Sequence, residues 1–133
     1  MATQETVLTR DALAALPVSY FQAVDARDVA AVCAHFAAAA TLTVQTDHVT
    51  FTGEAEIRRM FSDFFANSTS ITHEITNVVV DETTARVATE QNYVGELADG
   101  TRNNMHNCNF FDVGADGRFT RMIIWMAGTN PLK

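Results

Sequence analysis

The spacing of apolar positions changes character about halfway along the chain. Up to residue 66, apolar residues recur every three or four positions, the period of an amphipathic helix. From residue 70 onward they alternate with polar ones in long runs, the period of a half-buried strand. The first pattern predicts three helices. Residues 1–9 read as a loose arm. The first helix starts at an Asp11 cap and carries Leu13, Leu16, Tyr20, Phe21 and Val24, with Pro17 as a kink or a restart. It ends over residues 25–28. Asp28 caps a second helix with Val29, Val32, Cys33 and Phe36, and the alanine run 37–40 closes it. Two short strands follow, 41–46 and 49–51, joined by a turn at Asp47 and His48. Thr52 or Gly53 then caps a third helix with a buried stripe of Ile57, Met60, Phe61, Phe64 and Phe65.

The second pattern predicts strands over 70–80, 85–97, 101–113 and 118–127. The turns between them fall at 81–84, at Asp99 with Gly100, and around Asp116 with Gly117. Hairpin connections make this part antiparallel. Helices gathered at one end of a chain must cover one face of such a sheet. The predicted fold is therefore α+β: a cone-shaped, curved mixed or antiparallel sheet wrapped around three N-terminal helices. A cone leaves a pocket at its open end. With no linker, repeat or low-complexity stretch, residues 1–133 read as a single domain with its core over about 12–127. In the last strand, Phe119, Ile123 and Trp125 alternate with Met122, Ile124 and Met126, so both faces are apolar. One face packs on the helices and the other needs cover, which predicts a homodimer.

Composition narrows the partners. The net charge of −7 argues against nucleic acid and against an anionic membrane surface, both of which select basic proteins. The first residues carry no basic start or apolar run, so they do not read as a signal peptide, and no segment has the length of a membrane span. Cys33 and Cys108, far apart in sequence, read as free thiols in a reducing, cytoplasmic compartment, with a disulfide as the minority alternative.

The most informative side chain is His73. In the strand 70–80 it shares a face with Ile71 and Ile75, so it sits among hydrophobic groups and must find a partner or border a cavity. A core histidine bonded to backbone is the plain alternative. His106 alternates to the face opposite Asn107 and Asn109. Glu90, Asn92 and Glu96 share one strand face, whose direction the sequence leaves open. The four histidines lack zinc-ligand spacing, and there is no glycine-rich phosphate loop and no nucleophile elbow, so neither a metal nor a cofactor is expected.

The arrangement resembles the nuclear transport factor 2-like and SnoaL-like superfamily of cone-shaped proteins. The likeness is carried by residues 20–36, by Ala40-Thr-Leu-Thr43, by Phe51-Thr-Gly-Glu-Ala-Glu-Ile57 and by the four-strand run to Trp125. Within it, Asp25 and His73 fall where scytalone dehydratase, bile-acid 7α-dehydratase and hexachlorocyclohexane dehydrochlorinase place a catalytic Asp–His pair. Tyr20, Asn107 and Asn109 fall on polar pocket positions of that subgroup. The resemblance implies a cofactor-independent lyase of the dehydratase type on a small hydrophobic molecule, with His73 as general base oriented by Asp25. The expected pocket is apolar, lined by Tyr20, Phe61, Phe65, His73, Asn107 and Trp125. Two alternatives stand beside it, a non-catalytic binder of a hydrophobic ligand and a ketosteroid-isomerase-like isomerase. The isomerase branch shares Tyr20 but has Val44 and Asn107 where its two acids belong, and the Asp-Arg-Asp pattern of limonene epoxide hydrolase is missing.

Overall fold

The computed structural model describes residues 8–132. The helices are α1 (Arg10–Asp25), α2 (Val29–Cys33) and α3 (Gly53–Ala66). The strands are β1 (Phe36–Val44), β2 (Val49–Thr52), β3 (Ser68–Asp81), β4 (Arg86–Leu97), β5 (Arg102–Val113) and β6 (Phe119–Trp125), with a 3-10 turn, Gln45–Asp47, between β1 and β2. The six strands make one curved sheet in the order β2-β1-β6-β5-β4-β3. Every neighbouring pair is antiparallel except β1 with β6, which is parallel. Helix α1 packs across β3 and β4, and α3 across β1 and β2, so the expected α+β cone is what the chain adopts. Among the described residues no helix is long and apolar enough to cross a membrane.

The stripe of α3 is buried at all five positions, Ile57, Met60, Phe61, Phe64 and Phe65. It meets Leu13 and Val32 from the other helices and Leu42, Phe111, Phe119 and Met122 from the sheet, all fully buried. Each such side chain contributes about 1.5–3 kcal/mol by leaving water. Asp28 caps α2 as expected, accepting the Ala31 N–H at 3.0 Å. The cap of α1 is Thr9, not Asp11: the Thr9 hydroxyl accepts the Ala12 N–H at 3.1 Å. The rest of the expected arm, residues 1–7, lies outside the described residues. Pro17 is buried inside one continuous helix.

Two expectations fail for instructive reasons. Helix α2 stops at Cys33, and Phe36 with the alanine run 37–40 belongs to β1. Alanine's helix preference over most other residues is under about 1 kcal/mol, and pairing of this strand with β2 on one side and β6 on the other overrides it. In β6 the assumed alternation breaks. Val113 pairs with Phe119 but Asp112 pairs with Arg121, an irregularity that puts Phe119 and Met122 on the same face. Every later side chain changes sides. Met122 and Ile124 therefore face the helices, and Trp125, expected in the pocket, lies on the outer face, 49% exposed.

Candidate active site

Strand β3 is an edge of the sheet, so half of its backbone N–H groups point away from any neighbouring strand. The N–H of His73 is one of these, and Oδ2 of Asp25 accepts it at 2.9 Å. The other oxygen of the same carboxylate, Oδ1, lies 2.6 Å from His73 Nδ1. One carboxylate thus holds a residue by its backbone and its ring together. A carboxylate only accepts, so Nδ1 carries a proton, and in the neutral ring Nε2 keeps the lone pair. Nε2 makes no hydrogen bond among the described residues, and His73 borders a cavity. Asp25 is in reach because the helix stops there. Arg27, left-handed at φ 54°, turns the chain, and its Nη1 donates to the Ser68 carbonyl at 2.7 Å, tying the end of α1 to the start of β3.

The ring is also clamped from both sides. His73 pairs with Tyr93 of β4. Since its N–H faces out of the sheet, the pair is of the non-hydrogen-bonded kind, in which side chains come closest. The Tyr93 ring stacks on the imidazole at 5.2 Å, and Phe21 of α1 covers the other face at 4.7 Å. Tyr93 can lie this way because residue 95 is glycine: a Cβ there would meet Tyr93 Oη at 2.4 Å. The His73 side chain is 11% exposed and that of Asp25 27%.

The cavity beside His73 has a free volume of about 40 Å³, room for a few waters rather than for a drug-sized ligand. Tyr20, Phe61, Asn107 and Asn109 line it as expected. Tyr20 lies edge-on to Phe21, Phe36, Phe61, Phe111 and Phe119, and burial pushes its phenol far above the usual range, so it stays a neutral hydroxyl. Phe65 does not reach the cavity. It packs against Phe61 and Phe64, and Phe64 takes the place expected of it. The sequence reading missed Phe21, Tyr93 and Gln91, and also Pro131 and Leu132, which close the cavity from the tail.

Gln91 is 1% exposed, and it takes the Thr89 hydroxyl on Oε1 at 2.7 Å while donating from Nε2 to Asn109 Oδ1 at 2.9 Å. Strand β4 thus turns Thr89, Gln91 and Tyr93 inward, and Glu90, Asn92 and Glu96 outward. His106 is outside as well, bonded through Nδ1 to Asn92 at 2.7 Å and through Nε2 to Glu90 at 3.1 Å. Among the described residues no carboxylate faces Tyr20 across the cavity, and Val44 is fully buried. His35, with no visible partner in sequence, bonds the Ser19 hydroxyl at 2.8 Å and the Ala31 carbonyl at 2.8 Å. Both cysteines are free thiols.

The profile of the SnoaL-like domain family matches residues 18–122, from two residues before Tyr20 to the middle of β6. The chain belongs to the SnoaL-like domain family. Solved structures repeat the fold of this SnoaL-like chain at low identity. The epoxide hydrolase/cyclase-like enzyme SalBIII, described for pyran ring formation in polyether salinomycin, superposes with a TM-score of 0.80 at 18% identity, covering 90% of this chain and 94% of its own. The BvnE pinacolase from Penicillium brevicompactum gives 0.78 at 13% identity, over 89% and 87%. An NTF2-like protein of unknown function from Exiguobacterium sp. 255-15 gives 0.73 at 21% identity, over 86% and 99%. No curated protein matches the SnoaL-like sequence.

Proposed function

We propose that the protein is a cofactor-independent lyase acting on a small apolar molecule, with His73 as the general base and Asp25 as the group that orients it. The observation that carries this reading is the double grip of Asp25 on His73, a residue that borders the cavity; in the neutral ring it puts the proton on Nδ1 and the lone pair on Nε2. In an elimination, Nε2 takes a proton from carbon, the freed electron pair forms the double bond, and hydroxide leaves. The imidazolium returns its proton to the hydroxide as water, and His73 is restored. Asp25 remains ionised and stabilises the imidazolium between the two steps. Neutral Tyr20 and the cavity amides steady charge that builds on a substrate oxygen. This is the chemistry of the dehydratase subgroup that the sequence resembles. The solved neighbours named for ring formation and as a pinacolase support the broader class, acid–base cyclase or isomerase chemistry without a cofactor.

The contact between Asp25 and His73 favours this reading over a passive hydrophobic-ligand carrier. The outward turn of Glu90 and Glu96 disfavours an isomerase with a displaced carboxylate base. The test is His73→Ala, with melting temperature and turnover of a substrate found by screening measured together. We expect turnover to fall by about 10²- to 10⁴-fold, the usual worth of a general base, with the fold retained. A variant that is as active as the parent removes the reading.

A further inference from the structure

An imidazole that accepts a second proton becomes a cation, and the His73 side chain is only 11% exposed to the water that would solvate it. A charge taken out of water is costly unless the protein meets it. Three groups lie against this ring. Asp25 Oδ1 meets Nδ1 at 2.6 Å. Phe21 and Tyr93 cover the two faces, with centroids 4.7 and 5.2 Å from that of the imidazole. Among the described residues no arginine or lysine lines the cavity, so no cation there opposes a charge on the ring.

The tilt of the two covering rings sets them apart from the core around them. Tyr20 meets its ring neighbours at angles from 62° to 79°, edge against face. Phe21 and Tyr93 lie at 30° and 26° to the imidazole, so each turns a face to it. The face of a benzene ring is the negative side of its quadrupole and the edge is the positive side. A cation within about 6 Å of the centroid is drawn to that face. A neutral imidazole feels no such pull. Leucine at either position would hold the ring in place but would not distinguish its two charge states. We infer that Phe21 and Tyr93 act through His73 as positioning residues whose faces stabilise its imidazolium. They thereby favour the charge that grows on the ring as Nε2 takes a proton from carbon, while the C–H electron pair stays on carbon. The support of the cation stands on the ring geometry alone, whereas its use in proton transfer rests on the role proposed for His73.

The test replaces Phe21 by 4-fluoro-, 3,5-difluoro- and 3,4,5-trifluorophenylalanine, which drain the negative face in steps and change the shape of the ring little. The first readout is the ratio of protonated to neutral His73, from ¹⁵N NMR at one fixed pH at which the parent shows both forms. We expect the ratio to fall with each step, by about 3-fold or more at the trifluoro ring, the low end for a cation on a ring face. Tyr93→Leu should lower it similarly, and Tyr93→Phe, which keeps the face, should not. If the fluorinated chains fail to fold, the Tyr93 pair carries the comparison. A ratio that stays flat across the fluorine series, or that is equal in Tyr93→Leu and Tyr93→Phe, overturns the inference. The second readout is exchange of the nitromethane protons with deuterated solvent, which asks of Nε2 only that it take a proton from carbon. The rate above that of His73→Ala should fall along the same series. A falling ratio without His73-dependent exchange sinks the catalytic reading and leaves the support of the imidazolium standing. His73-dependent exchange with a flat ratio does the opposite.

Discussion

Replacing Asp25 by asparagine changes one atom and should move a proton across the imidazole. The carboxylate now accepts twice, from the His73 backbone N–H at 2.9 Å and from Nδ1 at 2.6 Å. An amide has one oxygen. The backbone N–H can only donate, so it keeps that oxygen, and the amino group of the substituted amide is left facing Nδ1. Two donors cannot bond each other, so Nδ1 gives up its hydrogen and accepts, and the proton goes to Nε2. The base then has no lone pair toward the cavity. Hydrogen bonds to a charged group are worth about 1.5–3 kcal/mol and neutral ones about 0.5–1.5, so exchanging two of the first for two of the second costs about 2 kcal/mol, less because Asp25 is partly exposed. That is a drop of roughly 3–8 °C in melting temperature for a chain of this size. Turnover should fall by about 10²-fold or more, the worth of the general base. The assay is ¹⁵N NMR of the imidazoles, with the His73 signals identified by their loss in His73→Ala. In the parent Nε2 should give the signal of an unprotonated ring nitrogen, and in Asp25→Asn that of a protonated one. An Nε2 that stays unprotonated in the variant, or a variant with parental turnover, refutes the tautomer assignment.

Gly95→Ala drives a methyl into the Tyr93 ring, within 2.4 Å of its hydroxyl; we expect a loss of about 1–3 kcal/mol in chemical denaturation, as for other overpacked sites, and a displaced His73 ring signal in NMR. Burial raises the pKa of both tyrosines, Tyr20 and Tyr93. A phenol whose folded value is raised contributes stability that is complete below its unfolded value, about 10, and is lost as pH climbs above it. Tyrosinate absorbance should therefore rise together with alkaline unfolding and not before it, and Tyr20→Phe should move that unfolding to higher pH. The outer face of the sheet exposes Val94 at 49%, Phe110 at 44% and Trp125 at 49%; we expect a homodimer in light scattering, and a monomer with unchanged circular dichroism when Phe110 and Trp125 are both changed to Glu. A monomeric parent at micromolar concentration removes that expectation.

His73 is legible in the sequence because an imidazole between two isoleucines at strand spacing has only a few physical explanations. The α3 stripe is legible because its period runs unbroken for a whole helix. The role of Asp25 is not written in any pattern; it comes from resemblance, and the structure supplies the contact. Two of the misses share a cause. Counting back from the Asp81–Arg86 pair sets Val94 opposite His73, but the slip between Ile75 and Asn77 brings Tyr93 there instead. The irregularity beside Val113 reverses Trp125 in the same way. Alternation says which residues share a face only as far as the next bulge, and bulges are set by twist and by packing across strands. Gln91 escapes notice because a buried amide is recognisable only from the partners that satisfy it, and one of those lies on another strand. Pro131 and Leu132 belong to a tail with no period at all.

Leu132 has a groove on its far side. The same side chain that seals the inner chamber forms one wall of a recess of about 330 Å³ between β2 and α3, bordered by Phe51, Glu56, Arg59, Met60 and Asp63. Two bonds fasten the strip of chain leading to it, the Met126 N–H to Thr46 Oγ1 at 2.7 Å and the Ala127 N–H to Asn107 Oδ1 at 3.1 Å, and the Leu132 N–H to Asn130 Oδ1 at 2.8 Å folds its end back on itself. One side chain thus separates the inner chamber from the recess.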